Sequence, residues 1–228
     1  GPALDASASF LFAHGARPAS LQPPRQEDRT GLPAHQDDTR TNGPKEALAR
    51  LGGRSLALVG LMGAGKSTVG RRLAGVLNLP FHDSDDEIET ASRMSVPELF
   101  AAYGEPEFRA LEARILSRLA NGPQAVISTG GGAYMREDTR RVLRERAVTV
   151  WLRADLDILM ERVSKRPGRP LLAAPDPRAV MKDLMDKRYP VYALADVAIE
   201  TRDVKREVIV QEIIEAVARQ PDRAEAVR

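Results

Sequence analysis

The sequence predicts an α/β fold in which a central five-stranded parallel sheet is covered on both faces by helices. Two features of the pattern point there: short apolar runs alternate with segments of helical spacing, and the first run passes through a glycine-rich turn straight into a helix. The third is size, since 228 residues with 43% hydrophobic content can bury one sizeable core.

The chain starts unpromisingly for a fold. Residues 1–50 hold no valine or isoleucine and carry six of the sixteen prolines, too little apolar surface to offset the cost of ordering. A disordered extension is expected there. From Arg54 the texture changes. Ser55-Leu-Ala-Leu-Val59 reads as the first strand, and Lys66–Leu77 as a helix with Val69, Leu73, Val76 and Leu77 on one side. Phe81-His-Asp83 is a second short strand, followed by polar helical stretches to about Ser117. Ala125-Val-Ile-Ser128 is the third, stopped by Thr129-Gly-Gly-Gly132; Ala147–Leu152 is the fourth and Val197-Ala-Ile199 the fifth. Helices are expected near Arg136–Glu145, Leu156–Val163, Arg178–Arg188 and Lys205–Ala218. Between the second and third of these, residues 164–177 are basic and then rich in proline and small residues, which suits a mobile lid. The domain map is therefore an extension over 1–50, a folded domain over 54–219 and a flexible tail over 220–228.

Composition excludes several classes of function. Lys and Arg number 34 against 32 Asp and Glu, so no large basic field invites nucleic acid or an anionic membrane. No cysteine is present, which removes disulfides and thiolate chemistry and fits a cytoplasmic location. No apolar run approaches the roughly 20 residues that span a bilayer, and Phe10–Ala13 is too short for a signal-peptide core.

The chemistry is written in the turns. Gly60-Leu-Met-Gly63-Ala64-Gly65-Lys66-Ser67-Thr68 satisfies G-x-x-x-x-G-K-[ST] between a strand and a helix. In that context successive backbone N–H groups converge on phosphate oxygens, Lys66 adds a mobile positive charge and Ser67 a hydroxyl for Mg²⁺. In open parallel sheets ligands sit beyond the carboxyl ends of the strands, which directs attention to the ends of strands two and three. Asp83 and Asp85 alternate along an extended backbone, so both can face the cradle if their strand neighbours the first. One would anchor the hydration shell of Mg²⁺ and the other accept a hydroxyl proton; an acidic first turn of the next helix explains Asp85 and Asp86 equally well. Gly130-Gly131-Gly132 exposes backbone on which a substrate can lie, or forms an ordinary tight loop. Arg109 and Arg188 offer guanidinium forks that suit a carboxylate, with Glu112 three residues on from Arg109; taken singly, either arginine is better explained by surface ion pairing.

Six motifs in order give the stretch from about Ser55 to Arg219 a close resemblance to shikimate kinase: the Gly60–Ser67 cradle, Asp83-Ser-Asp85, Glu107-Phe-Arg109, Gly130-Gly-Gly132, Arg169-Pro-Leu-Leu172, and Lys187-Arg188 with Pro190 and Tyr192. The resemblance implies a three-layer P-loop kinase with a mobile lid, related to nucleoside monophosphate kinases, that uses ATP and Mg²⁺ to phosphorylate the 3-hydroxyl of shikimate in aromatic amino-acid biosynthesis. On the matching positions, Asp85 resembles the residue that binds the ring hydroxyls and assists deprotonation, and Asp83, with Ser67, the site tied to Mg²⁺. Which of the two aspartates is the base stays open. Arg109 and Arg188 match the carboxylate grip, Gly131 and Gly132 the loop beneath the ring, and Phe100 and Phe108 the apolar wall. Arg169 matches the lid arginine on the phosphates, acting with Lys66 in catalysis, and Arg162 the arginine near adenine. Gly63, Ala64, Gly65, Lys66, Ser67 and Thr68 match the phosphate cradle. Expected partners are the small molecules ATP and shikimate, with no nucleic acid, no membrane and a monomeric chain. A sugar-acid kinase of gluconate type, or a nucleotide-binding switch without transfer activity, are the rival readings; the Asp83-Ser-Asp85 motif with the arginine pair argues against the first.

Overall fold

A computed structural model describes residues 38–165 and 174–221. Its sheet contains β1 (Ser55–Val59), β2 (Phe81–Asp83), β3 (Val126–Ser128), β4 (Ala147–Arg153) and β5 (Val197–Glu200), all parallel, in the order β2-β3-β1-β4-β5. Every residue of β1 is buried, as a strand roofed by helices on both faces requires.

The strand order answers a condition that the sequence leaves open. β3 lies between β1 and β2, so the first two strands are not neighbours. The register nevertheless brings their ends together: Asp83 pairs with Ser128 and Ser128 with Leu58, one row across the carboxyl edge of the sheet. The chain reverses its direction of travel across the sheet around β1, and a ligand crevice opens at that edge.

Helix α2 (Lys66–Leu77) packs Val69, Gly70, Leu73, Ala74 and Leu77 inward. Val76, expected on the same side, is instead 47% exposed, because Gly70 and Ala74 complete the inner stripe at four-residue spacing. Gly70 is needed there: a Cβ would sit 2.6 Å from the Phe81 ring. Helices α3 (Ser84–Ser92) and α4 (Val96–Asn121) follow β2, and α4 runs four residues beyond the expected end. A capping box between Ser95 and Glu98 starts α4. At Gly104, with φ 79°, it breaks into two segments just before Pro106. Ile88, Leu99, Phe108, Ile115, Leu116 and Ile127 bind α3 and α4 to β3 in a second core of their own. A 3₁₀ turn (Ala133–Met135), α5 (Glu137–Arg146), α6 (Leu156–Ser164), α7 (Pro177–Tyr192) and α8 (Arg206–Ala218) complete the order. Among the described residues, no helix is long and apolar enough to cross a membrane.

The expected disordered extension over 1–50 ends too late. Asp38–Leu51 forms a helix, α1, that packs against α8. Ala47 and Leu51 are fully buried and Leu48 lies beside them, and Gly43 comes so near Ile214 that a Cβ would be 3.4 Å from it. Three residues at i, i+1 and i+4 are enough, because α8 supplies Ile209, Val210, Ile213, Ile214 and Val217 as the apolar counterpart. Leu51→Ala is accordingly expected to lower unfolding free energy by about 2–5 kcal/mol in a denaturant titration. An α1 that did not pack against α8 would leave the curve unmoved. Residues 1–37, the central part of the expected lid (166–173) and 222–228 of the expected tail lie outside the described residues.

Candidate active site

A cavity of about 810 Å³ lies at the carboxyl edge of the sheet, lined by the cradle, both aspartates, Arg109, Arg188 and the glycine loop. The cradle wraps the N-terminus of α2. Gly60 has φ 143°, and a Cβ there would lie 2.7 Å from the Leu152 carbonyl, so only glycine lets the loop pass over β4. The first turn of α2 carries no acidic residue, whereas that of α3 carries Asp85, Asp86 and Glu87. An anion is therefore favoured at the first terminus, where N–H groups and the helix dipole point the same way. The Lys66 ammonium donates to the carbonyls of Gly60 at 2.9 Å and Leu61 at 3.0 Å, lying back across its own loop.

Asp83 and Asp85 reach the cavity by a different route from strand alternation. Asp83 ends β2 and caps α3, accepting the Asp85 backbone N–H at 3.1 Å through Oδ1. Asp85 stands in the first turn of that helix. The other Asp83 oxygen accepts from the Ser67 hydroxyl at 2.6 Å. Ser67 and Asp83 thus form a small group of hard oxygen donors beside the phosphate cradle, which suits a divalent cation of the Mg²⁺ type. Among the described residues, no cluster of three or more acidic or histidine side chains is placed to hold an ion alone. An ion at Ser67 and Asp83 would take its remaining oxygens from water and phosphate.

Asp85 opens to solvent through the cavity mouth but is flanked by protein. Desolvation, first, and the Asp83 carboxylate, second, hold its carboxyl above the usual range, while Lys66 pulls the other way. A Cβ on Gly130 would fall 3.0 Å from Asp85 Oδ1 and 2.3 Å from Glu112 Oε1. The loop therefore runs bare between two carboxylates.

Arg109 donates to Glu112 at 2.7 Å and to Glu105 at 3.3 Å, and its guanidinium carbon lies 5.1 Å from the Phe108 ring centroid and 5.9 Å from that of Phe100. Glu112 is only 1% exposed. Burial raises its carboxyl above the ordinary range against the pull of Arg109, and its Oε1 has no hydrogen-bond partner among the described residues. Arg188 donates to the Gly131 carbonyl at 3.0 Å. The two guanidiniums thus meet over the glycine loop. A Cβ on Gly132 would sit 2.4 Å from Arg109 Nη2. Gly132→Ala is expected to push the guanidinium off its seat and raise the KM for a carboxylate substrate about tenfold with a smaller effect on the KM for ATP, read from initial rates.

Arg162 ends α6 and joins the cradle to the segment before α8, donating to Gly63 at 3.4 Å and to the Arg202 carbonyl at 2.9 Å. Residues 201–206 wall that end of the cavity. No pattern in the sequence marks them, since they form a polar connection without glycine or repeat. Ser84 was also missed: fully buried, it accepts the Gly130 N–H at 2.8 Å and ties the loop to α3. Arg169, the expected lid arginine, lies outside the described residues.

The family model for shikimate kinase matches residues 62–218. The shikimate kinase of Mesorhizobium japonicum is 57% identical over 191 residues, 82% of this chain and 92% of that protein. That of Brucella canis is 57% identical over 176 residues, 77% of this chain and 88% of that one. Among solved structures, the Acinetobacter baumannii shikimate kinase in complex with shikimate superposes with a TM-score of 0.70 at 35% identity, covering 75% of this chain and 96% of that one. The Aquifex aeolicus shikimate kinase gives 0.64 at 34% identity, covering 72% and 95%.

Proposed function

The chain belongs to the shikimate kinase family, and from that premise we propose that it transfers the terminal phosphoryl group of ATP to the 3-hydroxyl of shikimate, giving shikimate 3-phosphate and ADP. The observation that carries the reading is the convergence of a phosphate cradle, a carboxylate and two guanidiniums on one glycine loop. ATP-dependent transfer calls for a divalent cation, and we assign Mg²⁺, held by Ser67 and through water by Asp83. Bound there, such an ion would supply charge neutralisation at the phosphate end of the nucleotide.

The protein's own groups do the rest. N–H groups of residues 63–68 and the Lys66 ammonium orient the phosphates. Arg109 and Arg188 grip the acceptor carboxylate, which turns the 3-hydroxyl toward Asp85. Asp85 takes the hydroxyl proton as the oxygen attacks; its raised pKa makes it a better base than an ordinary aspartate. Supporting that division, Asp83 already has both oxygens engaged, by Ser67 and by the α3 N–H. Arg169 is assigned to the transferring phosphate, and Arg162 to the adenine end, where it borders residues 201–206. The kinase domain is taken as 54–219, braced by α1, and the enzyme as a cytoplasmic monomer.

Mass spectrometry after incubation with ATP, Mg²⁺ and shikimate tests the activity: shikimate phosphate is expected, with gluconate left untouched. ATP consumption without a phosphorylated acid would overturn the reading in favour of a nucleotide-binding switch.

A further inference from the structure

The carbonyl oxygen of Gly131 receives two side-chain donors at once. Arg188 donates to it through Nη1 at 3.0 Å, and the Tyr192 hydroxyl donates to it as well. Tyr192 ends α7 one helical turn beyond Arg188 and is fully buried, its ring 6.4 Å from Tyr134 and 6.1 Å from Trp151 between centroids. A phenol that deep in apolar surroundings could have been replaced by phenylalanine at no packing cost; its hydroxyl is present for a partner.

The consequence follows from the planarity of the peptide. In a trans peptide the N–H of one residue points opposite to the C=O of the residue before it. Drawing the Gly131 carbonyl toward α7 therefore turns the Gly132 N–H away from α7, into the cavity that Gly131 and Gly132 line. Among the described residues no protein acceptor takes that N–H. The Arg109 guanidinium lies directly over the same glycine.

We propose that Tyr192 is a positioning residue for the acceptor: with Arg188 it clamps the Gly131 carbonyl and so holds the Gly132 N–H aimed at the substrate carboxylate. The inference deepens the functional reading above and rests on it. One arginine bound to both a carboxylate and a carbonyl could not fix the peptide alone, because gripping the substrate competes for its donors; the tyrosine keeps the loop set while Arg188 turns to the ligand. The hydroxyl remains a donor throughout the working range, since burial pushes its pKa up to about 12.

Tyr192→Phe tests this beside Tyr189→Phe. Tyr189 lies one turn earlier in the same aromatic cluster, and its hydroxyl donates to the Ala154 carbonyl rather than to the glycine loop. Tyr192→Phe is expected to raise the KM for shikimate about five- to tenfold, with the KM for ATP unchanged, whereas Tyr189→Phe leaves both constants as they are and lowers the melting temperature by a similar amount. Equal behaviour of the two variants, with wild type active on shikimate, overturns the clamp and leaves the kinase reading standing; a wild type inactive on shikimate overturns both. Should Tyr192→Phe fold poorly, the wild type decides by itself. The Gly132 amide resonance is expected to shift on titration with shikimate, and an amide that does not move sinks the proposal.

Discussion

Asp85→Asn is expected to lower kcat by about 10²–10⁴-fold while ATP affinity changes by no more than about twofold. The size of the loss follows from what asparagine cannot do: it fills the same space but takes no proton from the attacking hydroxyl. ATP is spared because the contacts proposed for its phosphates come from the cradle, Lys66, Ser67 and Asp83 rather than from the Asp85 side chain. Two further readouts separate a lost base from a damaged fold. Asp85 has a folded-state pKa above its unfolded value of 3.8, because burial and Asp83 disfavour the charged form. The folded state then binds the proton more tightly, so stability falls as pH rises from below 3.8 through the raised value. Removing the charge relieves that cost, and the variant is expected to melt at or slightly above the wild-type temperature at pH 7. In the wild type, the acid limb of the kcat profile should lie above pH 3.8 and activity should fall as the carboxyl is protonated. Asp85→Asn should lose that limb. A variant retaining near-normal turnover would move the base to another group.

Much of the fold could be read locally. Strands and helices were legible as runs and periodicities in Ser55–Val59 or Lys66–Leu77, and the phosphate cradle as a spacing of glycines that only a phosphate-facing turn requires. Strand order could not be read, because pairing is between distant segments: nothing near Phe81–Asp83 says that Val126–Ser128 will lie between it and β1. The same holds for α1. Its apolar content is sparse, and only the surface of α8, more than 150 residues on, makes Ala47 and Leu51 worth burying. In the site, residue types were legible and their state was not. Arg109 and Glu112 stand three apart on a helix, which predicts an ion pair; that the glutamate is sealed, with one oxygen unpartnered and the bare backbone of Gly130 above it, depends on three elements meeting. Tyr192 stood in a recognisable motif without a function, since its partner is a carbonyl 61 residues away.

Arg109→Ala is expected to raise the KM for shikimate by about 10²–10³-fold, the loss of one charge-assisted fork on the carboxylate, with the KM for ATP close to wild type. It should also destabilise the protein, for a reason separate from binding. Truncation leaves Glu112 buried at 1% exposure without its main counter-charge, and breaking such a pair costs about 3–5 kcal/mol. The effect has a predictable pH dependence. The Glu112 carboxyl is already raised above its unfolded value of 4.5 by burial and held down by Arg109; without the arginine it rises further. A folded pKa above the unfolded one means that stability declines as pH climbs through the interval between them, so the penalty should be small below pH 4.5 and grow above it. The double variant Arg109→Ala with Glu112→Gln separates the two effects. Removing the stranded charge should restore much of the melting temperature at neutral pH, yet the KM for shikimate should stay as high as in the single variant. Recovery of substrate affinity together with stability would mean that Arg109 serves the fold alone, and that the acceptor carboxylate is held elsewhere.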